Sequence, residues 1–194
     1  MPLSTSTNRK LLHTRHVTCK GYERTDGLWD IEGHIVDTKP YSFPNKDRGG
    51  EIKADEPLHE MWIRLTIDSE MIIHNAEGCI DNSPFNYCHS VAPIIKKLIG
   101  IQIGPGWTKK TRALIGGAKG CTHLTELLGP IATTAYQTMV SARGEYANAR
   151  KDKKASKPTF INQCYSLAAD SPVVKENWPQ FFKATTTDTS DKES

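Results

Sequence analysis

The sequence predicts an α+β domain: an antiparallel β-meander of about three to four strands, packed by helices from the C-terminal half. Three observations carry this. Residues 59–67 alternate Met61, Ile63, Leu65 and Ile67 with Glu60, Trp62, Arg64 and Thr66, the two-residue period of a strand with one buried face. From Ser90 the period changes, and Val91, Ile94, Ile95, Leu98 and Ile99 recur at helical spacing. Thr122 opens a second helical stripe of Leu124, Leu127, Leu128, Ile131, Ala135 and Met139.

Residues 14–20 and 30–38 carry β-type patterns, the first with Arg15, Val17 and Cys19 on one face, the second ending at Asp37. Residues 40–57, with Pro40, Pro44, Gly49, Gly50 and Pro57, read as a long exposed loop. After strand 59–67, Asp68-Ser69-Glu70 turns the chain into a hairpin partner at 71–76. In helix 90–99, Ser90 caps the first turn, Pro93 falls within that turn, where its missing donor is not needed, and Gly100 ends it. A short helix is expected at 108–115. Pro130 should kink or split the helix that opens at Thr122. The core domain thus covers 9–149, followed by a linker at 150–158, an aromatic-rich extension at 159–183 that docks on the core, and a disordered tail at 184–194.

A length of 194 residues suits one domain with a tail, and 37% hydrophobic with 24% charged residues is a globular balance, so the chain should fold alone. A net charge of +3 is too small for a nucleic-acid footprint, and the run Arg150-Lys151-Asp152-Lys153-Lys154 suits a solvated helix end. No stretch approaches the ~18 apolar residues of a membrane span, and Met1–Thr7 has no signal core, so a cytoplasmic protein without a membrane partner is expected. Five cysteines, an odd number, suit reduced thiols. The phosphate loop, dinucleotide fingerprint and nucleophile elbow are all missing, which disfavours nucleotide-driven enzymes.

Gly116-Gly117-Ala118-Lys119-Gly120-Cys121-Thr122-His123 puts a thiol and an imidazole at a helix N-terminus, where exposed amides favour a thiolate and glycines let a ligand approach the backbone. The structural alternative makes Thr122 the cap, Cys121 a small buried hydrophobe and His123 a surface residue. Cys88 leads into the 90–99 helix as the partner thiol, and Cys79 reads as core. A second group, His13-Thr14-Arg15 with Arg24, Asp26, Trp29 and Asp30, suits a carboxylate-bearing aromatic substrate, Arg gripping the anion and Trp offering a flat face. An Asp-Gly turn braced by an Arg salt bridge explains the same residues. His59 starts a strand and Asp37 ends one, placing both on the sheet rim, where a base or metal ligand could meet the helix ends; the alternative for His59 is an ordinary polar strand end.

Together, His13-Thr14-Arg15, Gly21-Tyr22, Arg24 through Asp30, Asp37-Thr38-Lys39, His59-Glu60-Met61 and Gly120-Cys121-Thr122-His123-Leu124 resemble a bacterial family catalogued as a domain of unknown function, over residues 9–183. That resemblance implies a setting in aromatic or acyl-CoA catabolism. In topology the chain is also similar to the U-type iron–sulfur scaffold proteins. Cys88 and Cys121 occupy two of the scaffold's cysteine places, while its first cysteine is missing, leaving Asp37 or His59 to stand in.

Three functions are compatible with these readings. The first is an enzyme acting by acid–base chemistry on a small hydroxylated aromatic or carboxylate substrate, in its sharpest form a carbon–carbon lyase that releases an aldehyde by retro-aldol cleavage. There His59, Cys121 and His123 are catalytic, His13, Arg15, Arg24, Asp26, Trp29 and Asp30 bind substrate, and Lys39 is a weaker, imine-forming option. The second is a metal or iron–sulfur carrier using Cys88 and Cys121; the sequence firmly implies no cofactor, but soft thiolates would select zinc or an iron–sulfur unit. The third is a module that binds an aromatic acid without turning it over.

Overall fold

The computed structural model describes residues 3–151 and 157–184. They fall into two compact units, Met1–Met139 and Val140–Ser194. In the first, β1 (Thr14–Glu23) and β2 (Trp29–Thr38) pair antiparallel across an Arg24–Leu28 turn. A small hairpin follows, β3 (Phe43–Asn45) and β4 (Gly50–Ile52), and then β5 (His59–Ile67) and β6 (Ile73–Asn82) complete a four-stranded antiparallel sheet in the order β1-β2-β5-β6. This is the expected meander, with helices and strands combined as an α+β fold.

The strand alternation holds along β5, where Met61, Ile63, Leu65 and Ile67 are buried. Along β2 the inward phase reads Ile31, Gly33, Ile35 and Asp37, all buried. Two strands outrun their sequence limits. β1 continues to Glu23 because the tight turn keeps it zipped to Trp29, and β6 continues to Asn82 although Gly78 and a register shift near Met61 blur its alternation. The segment 40–57 is not an open loop. Its β3–β4 hairpin buries Ile52, and Asn45 Oδ1 accepts from the Arg48 amide to cap the connecting turn.

The expected α-helix at 90–99 is a 3₁₀ segment spanning Asn86–Leu98. Its buried residues are Ala92, Ile95 and Leu98, three apart, as a three-residue turn requires, while Ile99 is exposed. Ser90 is not the cap; its hydroxyl donates to the Tyr87 carbonyl. Pro93 lies well inside the segment rather than in its first turn. Close packing on β6 goes with this narrow helix, since a Cβ on Gly78 would sit 2.8 Å from Ile95 Cγ1 and 3.0 Å from the Ala92 carbonyl.

Helix α1 (Trp107–Ile115) agrees with the expected 108–115 and is tied to the next helix by Trp107 Nε1 donating to the Leu128 carbonyl, 3.1 Å. Helix α2 (Thr122–Ala142) continues through Pro130 as one element instead of splitting. The proline forfeits a bond to the Glu126 carbonyl, but Leu127, Leu128 and Ile131 on either side are almost wholly buried. Each such side chain contributes about 1.5–3 kcal/mol of burial, enough to offset one lost bond. The helix crosses the inner face of β1 and β2: a Cβ on Gly33 would lie 2.7 Å from Ile131 Cγ1, and one on Gly21 would overlap the Thr138 hydroxyl.

In the second unit, α3 (Glu145–Lys151) and α4 (Pro172–Asn177) enclose a separate cluster of Ala149, Phe160, Ile161, Val174 and Trp178. Phe160 and Trp178 rings lie 4.9 Å apart, and Ser171 caps α4 by accepting from the Val174 amide. The expected linker at 150–158 begins inside α3, and most of the expected tail at 184–194 lies outside the described residues. All five cysteines are free thiols. Cys79, expected in the core, is exposed on β6 and bonds to Asp81 Oδ1. Among the described residues, no helix is long and apolar enough to cross a membrane.

Candidate active site

The inward phase of β2 ends on a carboxylate. Asp37 follows Ile31, Gly33 and Ile35 on the buried face, and its side chain is 0% exposed. An ion there must be paired, because an isolated buried carboxylate is too costly to keep. The sheet register supplies partners from both sides: Arg15 of β1 and His59 of β5 are the residues directly opposite Asp37. His13 precedes β1, and α2 brings His123 and, one turn on, Glu126 over the same end of the sheet.

Arg15 grips Asp37 as a fork, Nε to Oδ1 at 2.7 Å and Nη2 to Oδ2 at 2.8 Å, and its Nη1 reaches Glu126 at 2.5 Å. His13 Nε2 lies 3.1 Å from Oδ1, and His59 Nδ1 lies 3.0 Å from Oδ2. His123 Nε2 stands 3.4 Å from that same Oδ2. The His59 and His123 rings are neighbours, with centroids 3.8 Å apart. A carboxylate ion only accepts, so His59 carries its proton on Nδ1 and presents a bare Nε2.

Burial pushes the Asp37 carboxyl up, but the Arg15 hydrogen bonds and charge, with His13 and His59, outweigh it and hold the group at about 2. His59 is pushed down to about 4, by burial first and then by the neighbouring His123, against the opposing pull of Asp37. Burial also lowers His123. At neutral pH the cluster therefore holds an ionised carboxylate, a guanidinium and two neutral imidazoles able to accept protons. Asp37, His59 and His123 each offer an atom within 4.8 Å of the others, which makes them a group able to hold a metal ion.

The structure divides the sequence-derived candidates. His13, Arg15, His59 and His123 converge on Asp37, and Cys121 borders them with Sγ 3.9 Å from His123 Nδ1 and 3.7 Å from Met61 Sδ. Arg24, Asp26, Trp29 and Asp30 do not join them. They sit at the opposite end of β2, with Asp30 seven residues from Asp37, roughly 23 Å along the strand. Arg24 there forks onto Asp26, at 2.6 and 3.0 Å, and reaches Asp30 at 3.2 Å, while Thr66 donates to Asp30. This is the Asp-Gly turn braced by arginine. Trp29 packs against the core, its indole N–H buried without a partner among the described residues.

Cys88 lies within the 3₁₀ segment, outside the Asp37 group, and no cysteine belongs to the metal-capable group found among the described residues. Thr122 is the first residue of α2, and the Cys121 carbonyl accepts the first helical bond, from the Thr125 amide. The glycines before it serve the chain reversal. Gly117 has φ 61°, and a Cβ on Gly120 would overlap the Ile115 carbonyl.

Glu126 is the member that the sequence did not single out, while Asp37 was legible as a rim base or metal ligand but not as the centre on which the others converge. The signal for that central role of Asp37 is a carboxylate in phase with the buried residues of its strand. For Glu126 it is weaker, a position three after His123 and so on the same helical face. A family model described as Protein of unknown function (DUF2889) matches residues 13–137, a span that contains the whole cluster. No curated protein and no solved structure matches the chain.

Proposed function

The chain belongs to the DUF2889 family, and from that premise we propose that it is a small-molecule enzyme whose reactive centre is the Asp37 cluster and whose chemistry is proton transfer. The observation that carries this reading is the pair of half-buried imidazoles, His59 and His123, set side by side against one buried carboxylate. A structural ion pair between Arg15 and Asp37 needs neither of them. Asp37 fixes the His59 tautomer and would stabilise the imidazolium formed when Nε2 takes a proton, the division of labour seen wherever a carboxylate orients a histidine base.

The substrate class in keeping with this chemistry is a small hydroxylated aromatic or carboxylate compound. Retro-aldol cleavage is the form it takes most economically. One imidazole removes the hydroxyl proton and becomes an imidazolium, the carbon–carbon bond breaks to release an aldehyde, and the imidazolium returns that proton to the carbanion, directly or through the neighbouring ring, so that both imidazoles end neutral. Arg15 acts on this reading by holding Asp37 ionised, since its fork is already spent on that carboxylate, and Cys121 by bordering His123. The test is turnover of candidate hydroxylated aromatic acids by His59→Ala and His123→Ala. Each variant is expected to lose about 10²–10⁴-fold in rate while keeping its circular dichroism. Native rates in both folded variants would end the proposal.

A further inference from the structure

We propose that Asp37 Oδ2, His59 Nδ1 and His123 Nε2 are the ligands of one divalent first-row transition-metal ion. A carboxylate has about four acceptor sites, two on each oxygen. Arg15 Nε and His13 Nε2 fill those of Oδ1. Oδ2 faces three nitrogens: Arg15 Nη2 at 2.8 Å and His59 Nδ1 at 3.0 Å are within hydrogen bonds, and His123 Nε2 stands 3.4 Å away, close to the oxygen without bonding to it. A cation between Oδ2 and the two imidazoles would give His123 Nε2 a partner there. Arg15 keeps one lone pair of Oδ2, the ion takes the other, and each imidazole gives the ion a lone pair.

The distances agree with this. Ligands about 2.1 Å from a common ion lie roughly 3.0 Å apart in octahedral geometry and roughly 3.4 Å apart in tetrahedral geometry. The two oxygen-to-imidazole separations are 3.0 and 3.4 Å. Charge agrees as well: two carboxylates, Asp37 and Glu126, face the single guanidinium of Arg15. Around it, Arg15 orients the ligating carboxylate, and Cys121 Sγ, 3.9 Å from His123 Nδ1, stands where the second ring nitrogen would donate.

Two imidazoles and one carboxylate form a borderline donor set that selects zinc or ferrous iron over calcium or magnesium. Three protein ligands leave positions open for substrate, as catalytic sites do. The inference rests on the cluster's being the reactive centre and changes the roles within it: with Nδ1 given to the ion, His59 would carry its proton on Nε2, and the ion, rather than either imidazole, would activate the substrate hydroxyl.

The experiment is metal analysis and Zn²⁺ and Co²⁺ titration of the full chain, after chelator treatment, beside His59→Ala, His123→Ala and Cys121→Ser. One equivalent per chain is expected in the unsubstituted protein and in Cys121→Ser, with affinity reduced at least 100-fold in each histidine variant. Less than a tenth of an equivalent in the unsubstituted protein overturns the inference whether or not the variants fold, and so does unchanged affinity in folded histidine variants. The two proposals fail separately. Turnover that needs His59 but survives complete removal of metal defeats the metal site and leaves the proton-transfer reading intact. One bound equivalent held by the histidines, without dependence of turnover on them, does the reverse.

Discussion

At the scale of single residues, Asp37 concentrates most of what distinguishes this chain. A wholly buried carboxylate is tolerated because the Arg15 fork and the imidazoles surround it, and the same enclosure makes its loss expensive. Removing one partner of a buried pair leaves the other desolvated and alone. Asp37→Ala is therefore expected to destabilise the first unit by about 3–5 kcal/mol in urea unfolding. Arg15→Lys should recover only part of what Arg15→Ala loses, because an ammonium cannot replace a two-pronged fork. A cost for Asp37→Ala below about 1 kcal/mol, the range of a surface pair, would show that the fork is not what holds this end of the sheet.

At the scale of elements, the placing of α2 on β1 and β2 decides whether His123 reaches Asp37 at all. The helix lies close because Gly33 and Gly21 leave hollows in the inner face of the sheet. Gly33→Ala should cost about 1–3 kcal/mol of stability through overpacking against Ile131 and Leu127. Ile131→Ala should cost about 2–5 kcal/mol on its own, and the double variant should cost less than the two together, since the truncated side chain makes room for the new methyl. Strict additivity in that cycle would mean that the helix does not seat in the hollow. The 3₁₀ segment Asn86–Leu98 is a second instance of backbone shape following contact: its buried residues are three apart because it lies flat against Gly78.

At the scale of the whole molecule, the cluster links folding to acidity. The unfolded chain protonates His59 near pH 6.5, whereas in the folded protein burial delays this to about 4. Above pH 6.5 neither state takes the proton and the histidine leaves stability unchanged. As pH falls from 6.5 to about 4 the unfolded state alone gains it, so stability falls, by about 3 kcal/mol at the end of that window. His123 acts in the same direction. Asp37 works lower: its contribution is complete above its ordinary value of 3.8 and is lost as pH falls toward about 2. Metal-free protein followed by urea unfolding at a series of pH values should show a plateau above 6.5 and a decline through the His59 window. His59→Gln should flatten the decline between 6.5 and 4, and an unaltered slope in that variant would assign the effect to other groups.

The one-dimensional pattern was enough for the meander, for the inward face of β5, for the stripe of α2 and for the placing of Asp37 and His59 on a sheet rim, because burial of one face imposes a period that needs no knowledge of the partner. It was not enough for the helix at Asn86–Leu98, where packing on Gly78 selects a three-residue turn over the four-residue one that apolar spacing alone suggests. Nor could it separate the two arginine groups. Arg15 and Arg24 are nine residues apart and chemically alike, but on a single extended strand and its turn they point to opposite ends of the sheet, one to Asp37 and the other to Asp26. What residues a strand buries is written along the chain; which charges meet across it depends on register and on the seat of a helix, and those are fixed only when the layers pack.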